Sequence, residues 1–412
     1  MHLAVVFGMN QLVSHGFGLF LFSALVPLMR DAIGLSYWHL ALAGALTQLA
    51  YLAGALMVGL VGPRLGSRRV ALVCGLISTS LLSAMPLLTT PGVVILALVC
   101  LACSAAMSWG AIVEIASRHV PSEQRATCLS SAASGTAWGY GIIGLVMLWI
   151  VPVWGWQSSW RLAGSVGALV LMLTWYRLRR LPRVAPSAAA APAQDDADML
   201  SGSQLLITMF RDRTAFLACT LCLLVGFCTM PFANWLNTYL EELGLPAALG
   251  GYSWSTVGVT GMVAGFVVGR LADRRGHASA LLLMFSLFAL GQVAFAWHPA
   301  QMVLLASFGY GMMYFPVWGV IAGWINQHFS AAATMQISGL CMVTFGLGGA
   351  FGNLLLGAIR DFSGLLQPGF MLLMLASLVP VALGLRIRRS GPRVRLQLRP
   401  AAEWAWFNES RV

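Results

Sequence analysis

The sequence predicts an all-α integral membrane protein, with about twelve transmembrane helices in two pseudo-symmetric six-helix halves. Three observations predict it. Of 412 residues, 59% are hydrophobic and 9% charged, with a mean hydropathy of +0.81, whereas soluble chains carry roughly 25% charged residues. All 24 cationic side chains are arginine, and 21 of them fall on one side once the apolar runs are threaded through a membrane. The two halves also repeat one another at a nearly constant offset.

Apolar runs between arginine clusters place the spans near 4–29, 39–61, 70–90, 93–117, 126–149, 161–178, 214–240, 249–271, 278–297, 301–325, 331–358 and 369–387. The first run begins at Leu3 without the charged leader or small-residue cleavage site of a signal peptide, so it is expected to remain as a helix. One face collects Arg64, Arg68, Arg69, Arg118, Arg125, Arg177, Arg179, Arg180, Arg183, Arg211, Arg213, Arg270, Arg274, Arg275 and the C-terminal arginines; the other keeps Arg30, Arg161 and Arg360. This positive-inside asymmetry predicts an even number of spans with both termini cytoplasmic. The net charge of +11 is therefore topological, and the expected partner is membrane lipid rather than nucleic acid. Arginine without lysine, beside abundant Ala, Leu and Gly, is the composition of a GC-rich bacterial genome, which predicts a bacterial inner membrane.

Residues 179–213 form the one long polar stretch, with an Ala/Pro-rich centre holding Asp195, Asp196 and Asp198. Such a segment buries too little to fold and reads as a cytoplasmic tether. It divides the chain into an N-terminal half (1–178), the linker (179–213), a C-terminal half (214–388) and a basic tail (389–412). The tail is expected to be disordered, with membrane-surface binding through Trp404, Trp406 and Phe407 as the alternative. Most of the eight cysteines lie in apolar runs and behave as small hydrophobes. Cys100-x-x-Cys103 and Cys219-x-x-Cys222 are soft-metal spacings without a nearby histidine, so no metal and no cofactor is expected, and a copper carrier remains the alternative.

The repeat runs at an offset near 210. Gly16-Phe17 recurs as Gly226-Phe227, Phe22 as Phe232, and Gly59, Arg64 and Gly66 as Gly269, Arg274 and Gly276. After the eighth span stands Gly269-Arg-Leu271-Ala272-Asp273-Arg274-Arg275-Gly276. This run resembles the loop signature G-x-L-A-D-R-x-G of the major facilitator superfamily; its first-half counterpart has Pro63 in place of the acid. Gly16-Phe17, Leu25-Val-Pro27 and Tyr51-Leu-x-Gly54 are similar to the YbfB/YjiJ group of bacterial carriers within it. The resemblance implies parallel six-helix repeats with a solute site between them near the midplane, and a cavity lined by spans 1, 4, 7 and 10.

On those spans polar and aromatic residues become candidates for solute binding: Asn10, Gln11 and His15 on span 1, Trp109 on span 4, Met230, Asn234 and Asn237 on span 7, and Tyr310, Tyr314 and Trp318 on span 10. Gln11 and His15, four apart, share a face of a regular helix. His15 is the candidate proton-coupling residue, because imidazole titrates between pH 5 and 8 and ionisable groups are costly in a membrane. The competing reading is a neutral histidine bonded to a carbonyl or a neighbouring helix. The aromatic stripe is either a pocket wall or helix packing. No arginine lies mid-span on these helices, which favours a neutral or weakly charged organic solute over a multivalent anion.

Glu114, near the cytoplasmic end of span 4, is expected to pair with Arg118 and the loop arginines, Arg64 among them, as a gate rather than to couple protons. The resemblance further implies that Asp273 and Arg274 form the second-half gate, with the Asp273 carboxylate expected to face the N-terminus of span 5. Glycines at Gly135-x-x-x-Gly139-x-Gly141-x-x-Gly144 and around Gly346 and Gly352 are read as close-packing surfaces. The sequence carries no H-E-x-x-H, G-x-S-x-G or H-x-x-x-x-D motif, and its acids and histidines do not cluster, so no enzyme is expected. The reading is a monomeric secondary carrier working by alternating access with protons as coupling ion; a transporter-like sensor without flux is the rival.

Overall fold

The computed structural model describes residues 3–182 and 200–389; the centre of the linker and the tail beyond residue 389 lie outside the described residues. Span 1 comprises α1 (Leu3–Gln11), a π-helical stretch Leu12–Phe20, and α2 (Leu21–Ile33). Spans 2 to 4 are α3 (Tyr37–Leu65), α4 (Ser67–Ala84) and α5 (Pro91–His119). Span 5 is α6 (Ser122–Leu145) continued by a π turn, and span 6 is the body of α7 (Val151–Arg180).

These last two run together as one apolar helical stretch, Thr127–Arg180. Gly155, at φ 74°, breaks it into two spans, a conformation that costs an L side chain but not glycine. Among the described residues, eleven apolar stretches therefore give twelve spans.

The second half repeats the plan with α9 (Arg213–Glu242), α10 (Ala247–Arg275), α11 (His277–Trp297), the broken pair α12 (Pro299–Tyr314) and α13 (Val317–Asn326), α14 (Ala331–Ser363) and α15 (Gln367–Arg389). The stretch expected to be a plain tether also contains a helix, α8 (Gly202–Arg211). A capping box supports it: the Ser201 hydroxyl accepts from the Gln204 backbone while the Gln204 side chain accepts from the Ser201 backbone. Leu206, Ile207 and Phe210 stay exposed, an apolar stripe suited to the lipid interface. Gln336 clamps this segment to α14 by exchanging two hydrogen bonds of 2.9 Å with the Leu200 backbone.

Between the halves, association rests on close backbone approach. Hydrocarbon supplies no hydrophobic drive for helix pairing, so small residues permit the contact. Along α3 and α14, Ala41 meets Gly357, Gly44 meets Asn353, Gln48 meets Gly349 and Leu52 meets Gly346. Along α6 and α10, Leu148 meets Gly251, Gly144 meets Ser255, and Gly141 meets Gly258. Within the N-terminal half, Gly16 and Gly139 bring span 1 against α6.

Candidate functional site

Both seams stop short of the arginine-rich end. A Cβ added at Gly59 on α3, at Gly265 or Gly269 on α10, or at Gly339 on α14 would meet nothing within 4 Å. Leu56 and Leu60 on α3 and Met335 on α14 are largely exposed. The halves thus close on one another at the end carrying Arg30 and Arg360 and part beyond the Leu52–Gly346 contact, and the space between them toward the arginine-rich side is the candidate cavity.

At the closed end, four helices contribute to one network. Arg30 of α2 reaches Glu241 of α9 at 3.0 Å, an ion pair across the halves. Tyr37 of α3 lies between two guanidinium groups, with Arg30 5.2 Å and Arg360 of α14 4.2 Å from its ring centre. Glu242 holds Arg360 at 2.8 Å and accepts from the Leu366 backbone. Two of the three arginines on the arginine-poor face therefore serve as cross-half ties. Their sequence context assigned them no role.

His15 sits near the apex of the cavity, 9% exposed, inside the π-helical stretch. Its Nε2 is 3.0 Å from the hydroxyl of Tyr51 on α3, and its Nδ1 is 3.0 Å from Ser14 Oγ. The Ser14 hydroxyl donates its single proton to the Asn10 carbonyl at 2.8 Å, so toward the imidazole it can only accept. Neutral His15 thus carries its proton on Nδ1, and Nε2 accepts from Tyr51.

Tyr51 is half-buried. One turn earlier on α3, Gln48 donates to the Met230 sulfur at 3.3 Å. Around this apex Tyr310 stacks on Tyr314 at 5.1 Å and Trp318 meets Phe345 edge-on at 4.9 Å. Tyr140 of α6 joins them through its hydroxyl, 3.3 Å from that of Tyr310.

A two-half helical bundle of this kind fits several transporter folds, and the family model decides among them: the one described as Major Facilitator Superfamily matches residues 11–353. The chain belongs to this superfamily. It is a transporter rather than an enzyme. Among curated relatives of this facilitator, the gallate transporter of Pseudomonas putida is 26% identical over 381 residues, covering 84% of this chain and 82% of the relative. The cis,cis-muconate transport protein of Acinetobacter baylyi is 24% identical over 225 residues, about half of each chain at 52%. Among solved structures, the nucleoside transporter NupG superposes with a TM-score of 0.71 at 14% identity, covering 94% of this chain and 99% of its own. A bacterial homologue of the human lysosomal transporter Spinster, in an inward-facing and unoccupied conformation, gives 0.69 at 12% identity, over 94% and 95%. These last two show the shared fold.

The candidates from span 1 separate within the facilitator. Asn10 turns into the N-terminal half, donating to Thr174 at 2.8 Å, and borders a cavity with room for about one water, lined by Ser14, Ser78, Thr79 and Ser108. Gln11 faces Gly135 of α6 rather than sharing the face of His15, and its buried amide nitrogen has no hydrogen-bond partner. The π-helical stretch explains the split, because i→i+5 bonding shifts the register that a regular helix would keep.

On α9, Met230 lies at the apex, while Asn234 and Asn237 belong to the closed seam. Ser23 donates to Asn234 at 2.7 Å and Asn234 donates to Asn353 at 3.0 Å. Asn237 donates to the Ala24 carbonyl at 2.6 Å and accepts from Trp254 at 3.3 Å. Trp109 stands apart, in an apolar cluster with Phe7, Cys74 and Ile112. Tyr51, Gln48 and Asn353 are the residues the sequence reading missed. The available signal was an amide or a phenol inside an apolar run on spans 2 and 11, helices not expected to face the cavity.

Of the expected gate at the arginine-rich end, one pair is formed: Glu114 and Arg118 meet at 2.5 Å on their own helix. Arg64, Asp273 and Arg274 are exposed, and Asp273 makes no hydrogen bond or ion pair with the described residues at the start of span 5. Arg68 is drawn instead to His119 and the Leu181 and Pro182 carbonyls. Among the described residues no group of three His, Cys, Asp or Glu is arranged to hold a metal ion. Cys219 and Cys341 lie 4.0 Å apart between α9 and α14.

Proposed function

We propose that the protein is a proton-coupled secondary carrier of the bacterial inner membrane. It moves a small, neutral or weakly charged organic solute by alternating access, as a monomer with both termini cytoplasmic. One observation carries the reading: the cavity closes at the arginine-poor end and opens toward the arginine-rich end, with His15 and Tyr51 at its apex. By the positive-inside rule this is an inward-open state. The gallate and muconate relatives support a small organic solute with conjugated carbon and oxygen functions, and the partly exposed rings of Tyr314 and Trp318 suit such a molecule.

Purified protein in liposomes tests the proposal. An inward pH gradient should drive accumulation of labelled gallate, or of another hydroxylated aromatic acid, above its equilibrium level, and a protonophore should abolish it. Specific binding without flux would support the sensor; copper-dependent flux that a chelator stops would support the metal carrier.

Two gate predictions follow from the cavity's shape. Arg30→Gln removes the ion pair to Glu241 and one face of the contact on Tyr37. Both groups are partly exposed, so the loss is about 1–2 kcal/mol, a shift of roughly 5- to 30-fold toward the outward-open state. Raised labelling of a cysteine placed at Trp38 would report it; unchanged labelling would show that the network does not hold the gate.

Asp273 is assigned to the opposite state, in which the arginine-rich ends meet and its carboxylate caps the N-terminus of span 5. With Pro63 in the equivalent first-half position, this gate has one such latch. Asp273→Asn is expected to favour the inward-open state by at most about thirtyfold, the equivalent of ~2 kcal/mol. Unaltered accessibility at the arginine-rich end would refute the latch.

A further inference from the structure

We propose that the Tyr51 hydroxyl reads the protonation state of His15 and presents it to the solute, so that a carboxylate is bound only together with a proton. The inference deepens the reading of His15 as the proton site and rests on it.

A phenol has one proton to donate. In the arrangement described, that proton points at Nε2 of neutral His15, 3.0 Å away. The hydroxyl then shows the cavity only lone pairs, which repel a carboxylate. When His15 takes up a proton, Nε2 becomes a donor and Tyr51 must accept from it. The phenolic proton is released to point into the cavity, where it can bond a carboxylate oxygen, and the imidazolium behind it supplies the opposing charge. Nδ1 keeps the same proton and the same bond to Ser14 in both states. Only an N–H bond forms, with a proton from the open side of the cavity, and it breaks again on release.

The surroundings leave this task to one pair of residues. No ion pair among the described residues lies at His15. Tyr51 faces it from α3. On the other helices packed against the π-helical stretch, Glu114 of α5 is paired with Arg118 at the arginine-rich end, Tyr140 of α6 is bonded to Tyr310, and the Cys74 carbonyl of α4 accepts from Ser104. An anion entering the apex therefore meets no fixed guanidinium among the described residues, and the proton on His15 is what compensates its charge. Binding the two together adds no net charge to a low-dielectric site, where a lone carboxylate would be costly. This explains how a cavity without mid-span arginine can suit a monocarboxylate, and it defines the ligand class: one carboxylate on a flat, conjugated frame.

Titration calorimetry of the purified full chain, in buffers of differing ionisation enthalpy at pH 7, gives both affinity and protons taken up per ligand. The probes are gallate and its uncharged ester, methyl gallate. Wild type should bind gallate with uptake of close to one proton and methyl gallate with none. Tyr51→Phe keeps the ring but removes the hydroxyl. It should weaken gallate by at least ~tenfold, abolish the proton uptake, and leave methyl gallate within about threefold, which also reports an intact fold. His15→Gln should make gallate binding weak and independent of pH. Gallate binding with full proton uptake in Tyr51→Phe would overturn the role of Tyr51 while leaving His15 as the proton site. Gallate binding to wild type without uptake would remove the underlying reading of His15. Preference of wild type for the ester, or binding of neither probe, would overturn the carboxylate assignment.

Discussion

Gly258→Leu is expected to abolish transport while leaving both halves folded. A Cβ at this position would lie 2.2 Å from the Gly141 backbone nitrogen and 2.8 Å from the Ala137 carbonyl. Those are backbone atoms of α6, which cannot rotate aside as a side chain would. Overpacking ordinarily costs about 1–3 kcal/mol where side chains can adjust, and this contact offers no such relief. The closed seam would be disfavoured by more than about 3 kcal/mol, over a hundredfold, holding the carrier outward-open. Within a helix, leucine is otherwise better than glycine, so the C-terminal half itself should be no less stable. Gly269→Ala on the same helix is the control, since nothing lies within 4 Å of its added Cβ. Transport by Gly258→Leu at the wild-type rate would mean that this seam is not part of the cycle.

His15→Gln is expected to separate movement from accumulation. Glutamine can accept from Tyr51 and donate to Ser14 through its amide, preserving the two bonds of neutral His15, but it does not titrate. Exchange of an uncharged solute such as methyl gallate across the membrane should persist within a few-fold of wild type. Accumulation driven by a pH gradient should fall to the equilibrium level, a loss of about tenfold per pH unit if one proton is coupled. Normal accumulation in this variant would remove His15 from the coupling mechanism.

Much of the architecture was legible because a bilayer leaves few alternatives. Apolar runs must be helices, and the loop signature around Asp273 locates the repeat. Even the break between spans 5 and 6 fell between two predicted runs, where Gly155 supplies the turn. The site was less legible for two physical reasons. Helical spacing placed Gln11 with His15, but the π-helical stretch begins at Leu12 and changes the register after it, which no side-chain periodicity announces. Asn234 and Asn237 were rightly polar and inward-facing, yet Ser23, Asn353 and the Ala24 carbonyl satisfy them in the closed seam. Composition alone cannot distinguish an amide that meets solute from one that ties two helices. Tyr51 was visible only as part of a motif, because its importance comes from a partner 36 residues away.

The central claim is that the two ends of this molecule open in alternation. Distances between paired spin labels test it most directly, on a background in which the eight native cysteines are replaced. One pair, at Leu60 and Met335, spans the arginine-rich end of α3 and α14; the other, at Trp38 and Phe362, spans the opposite end of the same helices. All four positions are exposed. Without solute, the first distance should be long and the second short. Changes of pH and addition of gallate should populate a second state in which the first shortens as the second lengthens. Two distributions that stay fixed under every condition, or that move in the same direction, would contradict alternating access in this protein.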